Sequence, residues 1–232
     1  IKEELVKFDG TPLFPERRAQ TANYTLSPLE WELYEAVTEY VKTEMRKVDE
    51  LTGARKGSIG FALTTLQRRL ASSPEAIYQS LVRRRRQLER RLEAVLNGLA
   101  HLDEPASNTQ DVDEDDDERD AAEQEQLEET LVDQATAARN VGELRQEIAA
   151  LGELVQVARA VLHAGQDRKW EELSRLLQDE PALRNPDQPD GVGRLQKLII
   201  FSEHRDTLNY LQRRIAGVLG SDTAVVTIHG GT

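Results

Sequence analysis

Four consecutive arginines, Arg83-Arg84-Arg85-Arg86, lie within a stretch from Arg68 to Arg91 that carries eight arginines against only Glu75 and Glu89. Guanidinium groups at that density can neutralise backbone phosphates without reading bases, which makes Arg84 and Arg85 candidate nucleic-acid contacts. Consecutive helical residues point around the helix rather than along one stripe, so a solvated face, or pairing with acidic residues of the same chain, is the competing reading. The other candidate lies between Arg194 and Thr232. Leu198-Ile199-Ile200-Phe201 is a continuous apolar run suited to a strand buried on both faces of a parallel sheet. Ser202-Glu203-His204 then turns the chain into a helix whose first backbone N–H groups can hold a phosphate. A second β-rich run, Ala224–Ile228, ends in Gly230-Gly231-Thr232. Ligand sites of parallel sheets gather at the carboxyl ends of strands, where Ser202, Glu203, His204, Gly230, Gly231 and Thr232 all fall. An ordinary strand–helix–strand unit with no ligand is the alternative.

Catalytic and metal chemistry find less support. The acidic quartets at Asp103 (DEPA) and Asp113 (DEDD) have no apolar strand ahead of them to position a metal, and read as solvated charge. His101, His163, His204 and His229 show no ligand spacing, and no G-x-x-x-x-G-K-[ST] phosphate loop occurs. The nearest approach to one, Gly53 to Gly60 (GARKGSIG), lacks both the preceding strand and the Lys-Ser/Thr pair. No catalytic residue and no metal ligand is assigned. Cysteine is absent, which excludes disulfides and thiolate metal sites and is compatible with a reducing cytoplasm. No membrane span or signal-peptide pattern is read from the sequence.

Charge is distributed unevenly over the 232 residues. Asp103 to Thr130 holds fourteen Asp/Glu and one Arg, a net of −13 out of a total of −12, so the remainder sums to about +1. Charged residues make up 31% and aromatics 5%, a balance that suits long solvated helices better than one thick core.

The elements that must position the candidates follow from periodicity. Residues 1–26 read as extended. Ser27, Pro28 and Glu30 form a capping box with proline at the first helical position, opening a helix whose apolar face is Leu33, Val37, Tyr40, Val41, Met45, Val48 and Leu51. A shorter helix follows Gly60. Ser73-Pro74-Glu75 starts another, expected to run to about Leu102 on a heptad of Tyr78, Leu81, Leu88, Leu92, Val95, Leu99 and Leu102, with Arg85 intruding at one core position. Residues 103–120 are acidic and nearly without apolar anchors, the composition of a flexible loop. A single long helix is expected from Ala121 to His163, then a short one around Trp170, Leu173, Leu176 and Leu177, and a linker over 181–193. Two heptad helices joined by a flexible loop should fold back as an antiparallel hairpin. The expected class is mainly α, with a helical hairpin inserted before a partial α/β lobe. Its units are 27–102, the acidic loop 103–120, the second hairpin arm and short helix 121–180, and the α/β segment 194–232.

Here the sequence resembles a known family. "KLIIFSEHRDTLNYLQRRI…VVTIHGG" looks like the opening of the second RecA-like lobe of superfamily-two helicases, Swi/Snf-type branch, where a Lys-apolar-apolar-Ile-Phe-Ser strand precedes a helix and a second strand ends in a Gly loop. "FPERRAQTANYTLSPLEWELYEAV" is similar to the passage joining the two lobes in that branch, through Leu26-Ser27-Pro28 and Glu32-Leu33-Tyr34, and "LTTLQRRLASSPEA" is similar to the helix that follows. The matching pieces cover about half the chain. Leu92 to Glu180 departs from the pattern as an inserted hairpin, and the Arg-rich stretch looks closer to bacterial multi-domain helicases.

The resemblance implies a piece of an ATP-dependent DNA helicase or translocase, with the ATP- and Mg²⁺-binding elements on a first lobe outside this stretch and no cofactor held by the stretch itself. It implies that Ser202, Glu203, His204, Gly230, Gly231 and Thr232 grip the DNA backbone without sequence preference. The first lobe of the same polypeptide is an expected partner, and the hairpin is a docking surface for a protein. The alternative is an α-helical coiled-coil scaffold without motor activity.

Overall fold

The computed structural model describes residues 6–8, 10, 13, 19, 21–51, 53–100, 121–179 and 197–229. Seven α-helices form in this order: α1 (Pro28–Asp49), α2 (Ala54–Ser72), α3 (Pro74–Leu96), α4 (Ala121–Gln134), α5 (Val141–Ala164), α6 (Arg168–Asp179) and α7 (Arg205–Leu219), with a 3₁₀ turn at Asp222–Ala224. The protein is mainly α, as its sequence predicts.

Helix α1 begins as its residues dictate. The Ser27 hydroxyl accepts from the Glu30 amide at 3.3 Å, and the Glu30 carboxylate accepts from the Ser27 amide at 2.7 Å, while Pro28 takes the position where a missing N–H costs nothing. Ser73 is shared between two helices: its backbone closes α2 and its side chain caps α3 by accepting from Ala76 N at 3.1 Å. This single-residue joint fixes α2 against α3.

The core is built by α1, α2, α3 and α5, with α4 closing it against α2 and α3. Val37, Leu63, Leu66, Ile77, Leu81, Leu88, Leu144, Leu151 and Ala158 are fully buried within it. By length and hydropathy alone the stretch Val141–Gln178 passes as a membrane-spanning helix. In the fold, however, Leu144, Leu151, Val155 and Ala158 point into the core.

Four helix expectations need correction. Helix α2 starts at Ala54, capped at Gly53, and runs through Gly57 and Gly60 instead of following Gly60. Helix α3 stops at Leu96, short of Leu102, because Gly98 takes the left-handed conformation at φ +69°. The Leu99 amide donates back to Ala94 O at 2.9 Å and Gly98 N to Val95 O at 3.1 Å, the paired bonds of a glycine C-terminal cap. The single helix expected over Ala121–His163 is two, broken at 135–140. Asn140 restarts it: its side chain accepts from the Glu143 amide at 2.9 Å, and Glu143 accepts from Arg139 N at 2.7 Å. The buried register of α3 is Ile77–Leu81–Arg84–Leu88, so the arginine at the core position is Arg84 and not Arg85.

The two expected strands are also absent as strands. Among the described residues, 197–201 and 225–229 take no regular secondary structure and pair with no neighbouring backbone, so neither joins a sheet. The acidic loop, the 181–193 linker and most of 1–20 lie outside the described residues.

Candidate nucleic-acid interface

The four consecutive arginines of α3 point in four directions, and each direction has a different chemistry. Arg84 faces inward and is 0% exposed. Its Nε donates to Tyr40 Oη at 3.0 Å, its Nη2 to Glu147 Oε1 at 2.8 Å, and its Nη1 to the Val132 carbonyl. Tyr40 in turn donates to Glu147 Oε1 at 2.9 Å, and the Thr136 hydroxyl donates to Glu147 Oε2. Burial opposes the charge on Arg84, but Tyr40 and Glu147 more than offset it and hold the guanidinium protonated. Burial pushes the Tyr40 phenol well above its usual range, with Glu147 and Glu44 adding to the effect. Every polar atom of this cluster serves to join α1, α3, α4 and α5. Arg84 is therefore not available to a phosphate, and that part of the sequence expectation is corrected.

Arg83 faces α4 and α7. It donates to Asp206 Oδ2 at 2.8 Å and lies 3.3 Å from Glu129 and 3.6 Å from Asp133. Arg85 is half-exposed; its Nε donates to Glu89 one turn on at 2.8 Å, and its guanidinium lies against Gly152 of α5. Arg86 faces solvent, as does Arg90 one turn later, and neither has an ion-pair partner among the described residues. Among the described residues these two form the unpaired cationic edge of α3, which the run of arginines in the sequence does not single out. The missed signal was the register: once Ile77, Leu81 and Leu88 are fixed as core, positions 86 and 90 must face out.

The α7 start is built by a turn that packs back on the α2–α3 joint. The Thr207 hydroxyl is 2.7 Å from Ser72 Oγ and 2.9 Å from Ser73 Oγ, Asp206 takes Arg83, and Glu203 pairs with Arg68. Among the described residues, the Ser202 hydroxyl reaches the His204 carbonyl, at 3.4 Å. His204 occupies the N-cap position, yet its side chain makes no cap hydrogen bond. Its ring is buried, and burial together with the Arg69 and Arg68 guanidiniums lowers its pKa to about 4. The imidazole is therefore neutral near pH 7. His204 thus supplies no side-chain acceptor to the first amides of α7, and Arg205 beside them is exposed. That is an arrangement able to accept an anion. Gly230, Gly231 and Thr232 lie outside the described residues.

Next to this turn lies a cleft of about 580 Å³ between α6, α7 and the segment before α7, lined by Arg68, Ser72, Lys169, Trp170, Phe201 and Thr207 among others. Its polar groups are largely committed: the Lys169 ammonium donates to Ala71 O at 3.1 Å and Ser72 O at 3.3 Å, and Arg68 holds Glu203. What remains open in the cleft is chiefly apolar.

The structure thus sets Glu203 and His204 beside Arg68 and ties Asp206, in the first turn of α7, to Arg83, but points Arg84 into the core and Arg85 toward Glu89 and Gly152. No family model matches this chain, and no curated protein or solved structure does either.

Proposed function

We propose that this chain is part of an ATP-dependent DNA translocase or helicase, contributing the helical region between two RecA-like lobes and the start of the second lobe. The observation that carries the reading is the state of the two apolar segments flanking α7. Leu198 is 48% exposed, Ile199 75%, Phe201 91%, Val226 82% and Ile228 85%, on backbone with no sheet partner among the described residues. Full burial of each such side chain is worth about 1.5–3 kcal/mol, and large apolar side chains exposed together along a segment point to a surface that another element covers. On this reading the cover is the remainder of a parallel sheet, and the setting is cytoplasmic. The start of α7 and the Arg86–Arg90 edge meet DNA backbone, while ATP and Mg²⁺ are held by the other lobe. The α3–α5 pair is the hairpin that serves as a lever or docking arm.

A second reading, an α-helical interaction module without motor activity, is favoured by the withdrawal of Arg84 into the core. A buried ion pair of that kind fixes the register of packed helices and has no need of a nucleic-acid role.

Fluorescence anisotropy with labelled single- and double-stranded DNA separates the two. The motor reading expects sequence-independent binding with a dissociation constant of roughly 10⁻⁴ to 10⁻⁶ M that weakens steeply with salt, and no nucleotide hydrolysis by this chain alone. Absence of binding at low salt favours the interaction module, and a hundredfold preference for one sequence refutes the motor reading.

A further inference from the structure

The outer face of α1 carries a feature that neither the core nor the DNA reading uses. Trp31 and Tyr34 stack with centroids 5.9 Å apart and planes inclined by 21°, yet Trp31 is 52% and Tyr34 43% exposed. Glu32, Glu35 and Glu39 are exposed on the same stretch of helix, and none has an ion-pair partner among the described residues. Beside Tyr34 is a shallow notch floored by Leu26, Leu33, Leu70 and Pro74.

The helix dipole rewards acidic residues in the first turn. It does not reach Glu35 or Glu39, and it gives no reason to expose two rings. Aromatic anchors ringed by polar groups are instead the composition of an interface centre. Nucleobases stack on such rings, but three unpaired carboxylates repel the phosphates that come with them. One side chain satisfies rings and carboxylates together. A guanidinium stacks flat on an aromatic face and pairs bidentately with a carboxylate, whereas an ammonium does only a weaker version of each.

The same molecule uses this combination internally. Arg214 lies 5.1 Å from the centre of the Trp170 ring and 5.4 Å from that of Tyr210, and Tyr210 donates to Asp167 at 2.7 Å. There a Trp, a Tyr, an Arg and a carboxylate join α6 to α7. On α1 the Trp, the Tyr and the carboxylates are present, and among the described residues no arginine joins them. We propose that the Trp31–Tyr34 face of α1 docks an arginine-bearing segment of a partner protein.

The chain has two tryptophans, so Trp170→Phe leaves Trp31 as the sole indole. In that background, capped hexa-arginine, capped hexa-lysine and a short oligothymidylate are titrated against Trp31 emission. Hexa-arginine should shift the emission saturably and bind roughly threefold tighter than hexa-lysine, the margin of an exposed cation–π contact. Glu32→Gln with Glu35→Gln should weaken it several-fold, and oligothymidylate should leave the emission unchanged. Equal affinity for the two peptides, indifference to the Glu→Gln changes, or a response to oligothymidylate overturns the proposal. Should Trp170→Phe fail to fold, calorimetry of hexa-arginine with the native chain and with Trp31→Phe/Tyr34→Leu replaces it. Loss of several-fold affinity in the double variant is then expected, and unchanged affinity overturns the assignment, since the acidic stretch 103–130 would be the whole attraction.

Discussion

Replacing Arg84 with methionine distinguishes a core role from a surface role in one measurement. Methionine keeps most of the buried stem of the side chain but removes the donors to Tyr40, Glu147 and Val132. Glu147, 2% exposed, would then keep only the Tyr40 and Thr136 hydroxyls to stabilise its charge. Leaving one member of a buried ion pair without its partner costs about 3–5 kcal/mol. At roughly 2–4 °C per kcal/mol for a chain of this length, the thermal midpoint should fall by roughly 6–20 °C. Arg85→Met, one residue away but half-exposed and bonded to Glu89 on the same helix, should change stability by no more than about 0.5 kcal/mol. Adding Glu147→Gln to Arg84→Met removes the stranded charge, so the double variant should recover part of the loss. Urea and thermal melts of the native chain and the three variants, followed by helical circular dichroism, read these outcomes. If Arg84→Met melts within about 1 kcal/mol of the native chain while losing DNA affinity, Arg84 reaches phosphates and the buried cluster is wrong.

Charge reversal on the solvent edge of α3, Arg86→Glu with Arg90→Glu, should leave the melt unchanged and weaken any DNA binding, with a shallower salt dependence by about two counterions. Asn140→Ala removes the cap that restarts α5 and should cost about 1 kcal/mol. Two buried groups give opposite pH trends. Burial raises Asp133 from 3.8 to about 6 in the folded chain, against the pull of Arg83 and Arg69. Between those values the folded state holds a proton the unfolded state has lost, so this group's contribution to stability falls as pH rises. His204 is lowered from 6.5 to about 4 by burial and by Arg69 and Arg68, so the unfolded state takes up a proton the folded state refuses. Its contribution to stability is therefore lost as pH falls through that window. Urea melts between pH 4 and 6.5 should show stability rising with pH in Asp133→Asn and falling with pH in His204→Asn; slopes of the reverse sign in both would exclude these assignments.

How far the sequence foretold this structure depends on whether the signal was local. The cap at Ser27, the start at Pro74 and the apolar face of α1 are decided within one or two turns, and all three formed as read. The break before Asn140 had a local signal too, an Asn followed three residues on by Glu143, but the continuous apolar spacing from Val141 to Leu162 masked it. The same holds for Asn97-Gly98, whose glycine ends α3 while the heptad runs on past it. The fate of the arginines was not local at all. Whether position 84 or 85 faces the core depends on Tyr40 of α1 and Glu147 of α5, which lie 44 and 63 residues away in sequence. Nothing in a run of four identical residues marks which one will meet them. The segments beside α7 were legible as apolar and β-prone, but a strand exists only where another backbone pairs with it, and among the described residues none does.

The contacts of α7 bear on how a motor containing this chain would move. Its first turn is tied to α3 by Arg83–Asp206 and to the α2–α3 joint by Thr207 with Ser72 and Ser73. Its middle is tied to the start of α6 by Tyr210–Asp167 and by Arg214 between two rings. Asp167 also caps α6 through Trp170 N at 2.8 Å, and the neighbouring Arg168 amide donates to Glu30 of α1 at 3.0 Å. A rotation of α7 relative to the helices would have to break buried hydroxyl and carboxylate contacts at both positions at once, at about 1 kcal/mol for each neutral hydrogen bond and more for each charged one. On the motor reading, the helical region therefore travels with the lobe that α7 begins, and the hinge between lobes must lie elsewhere.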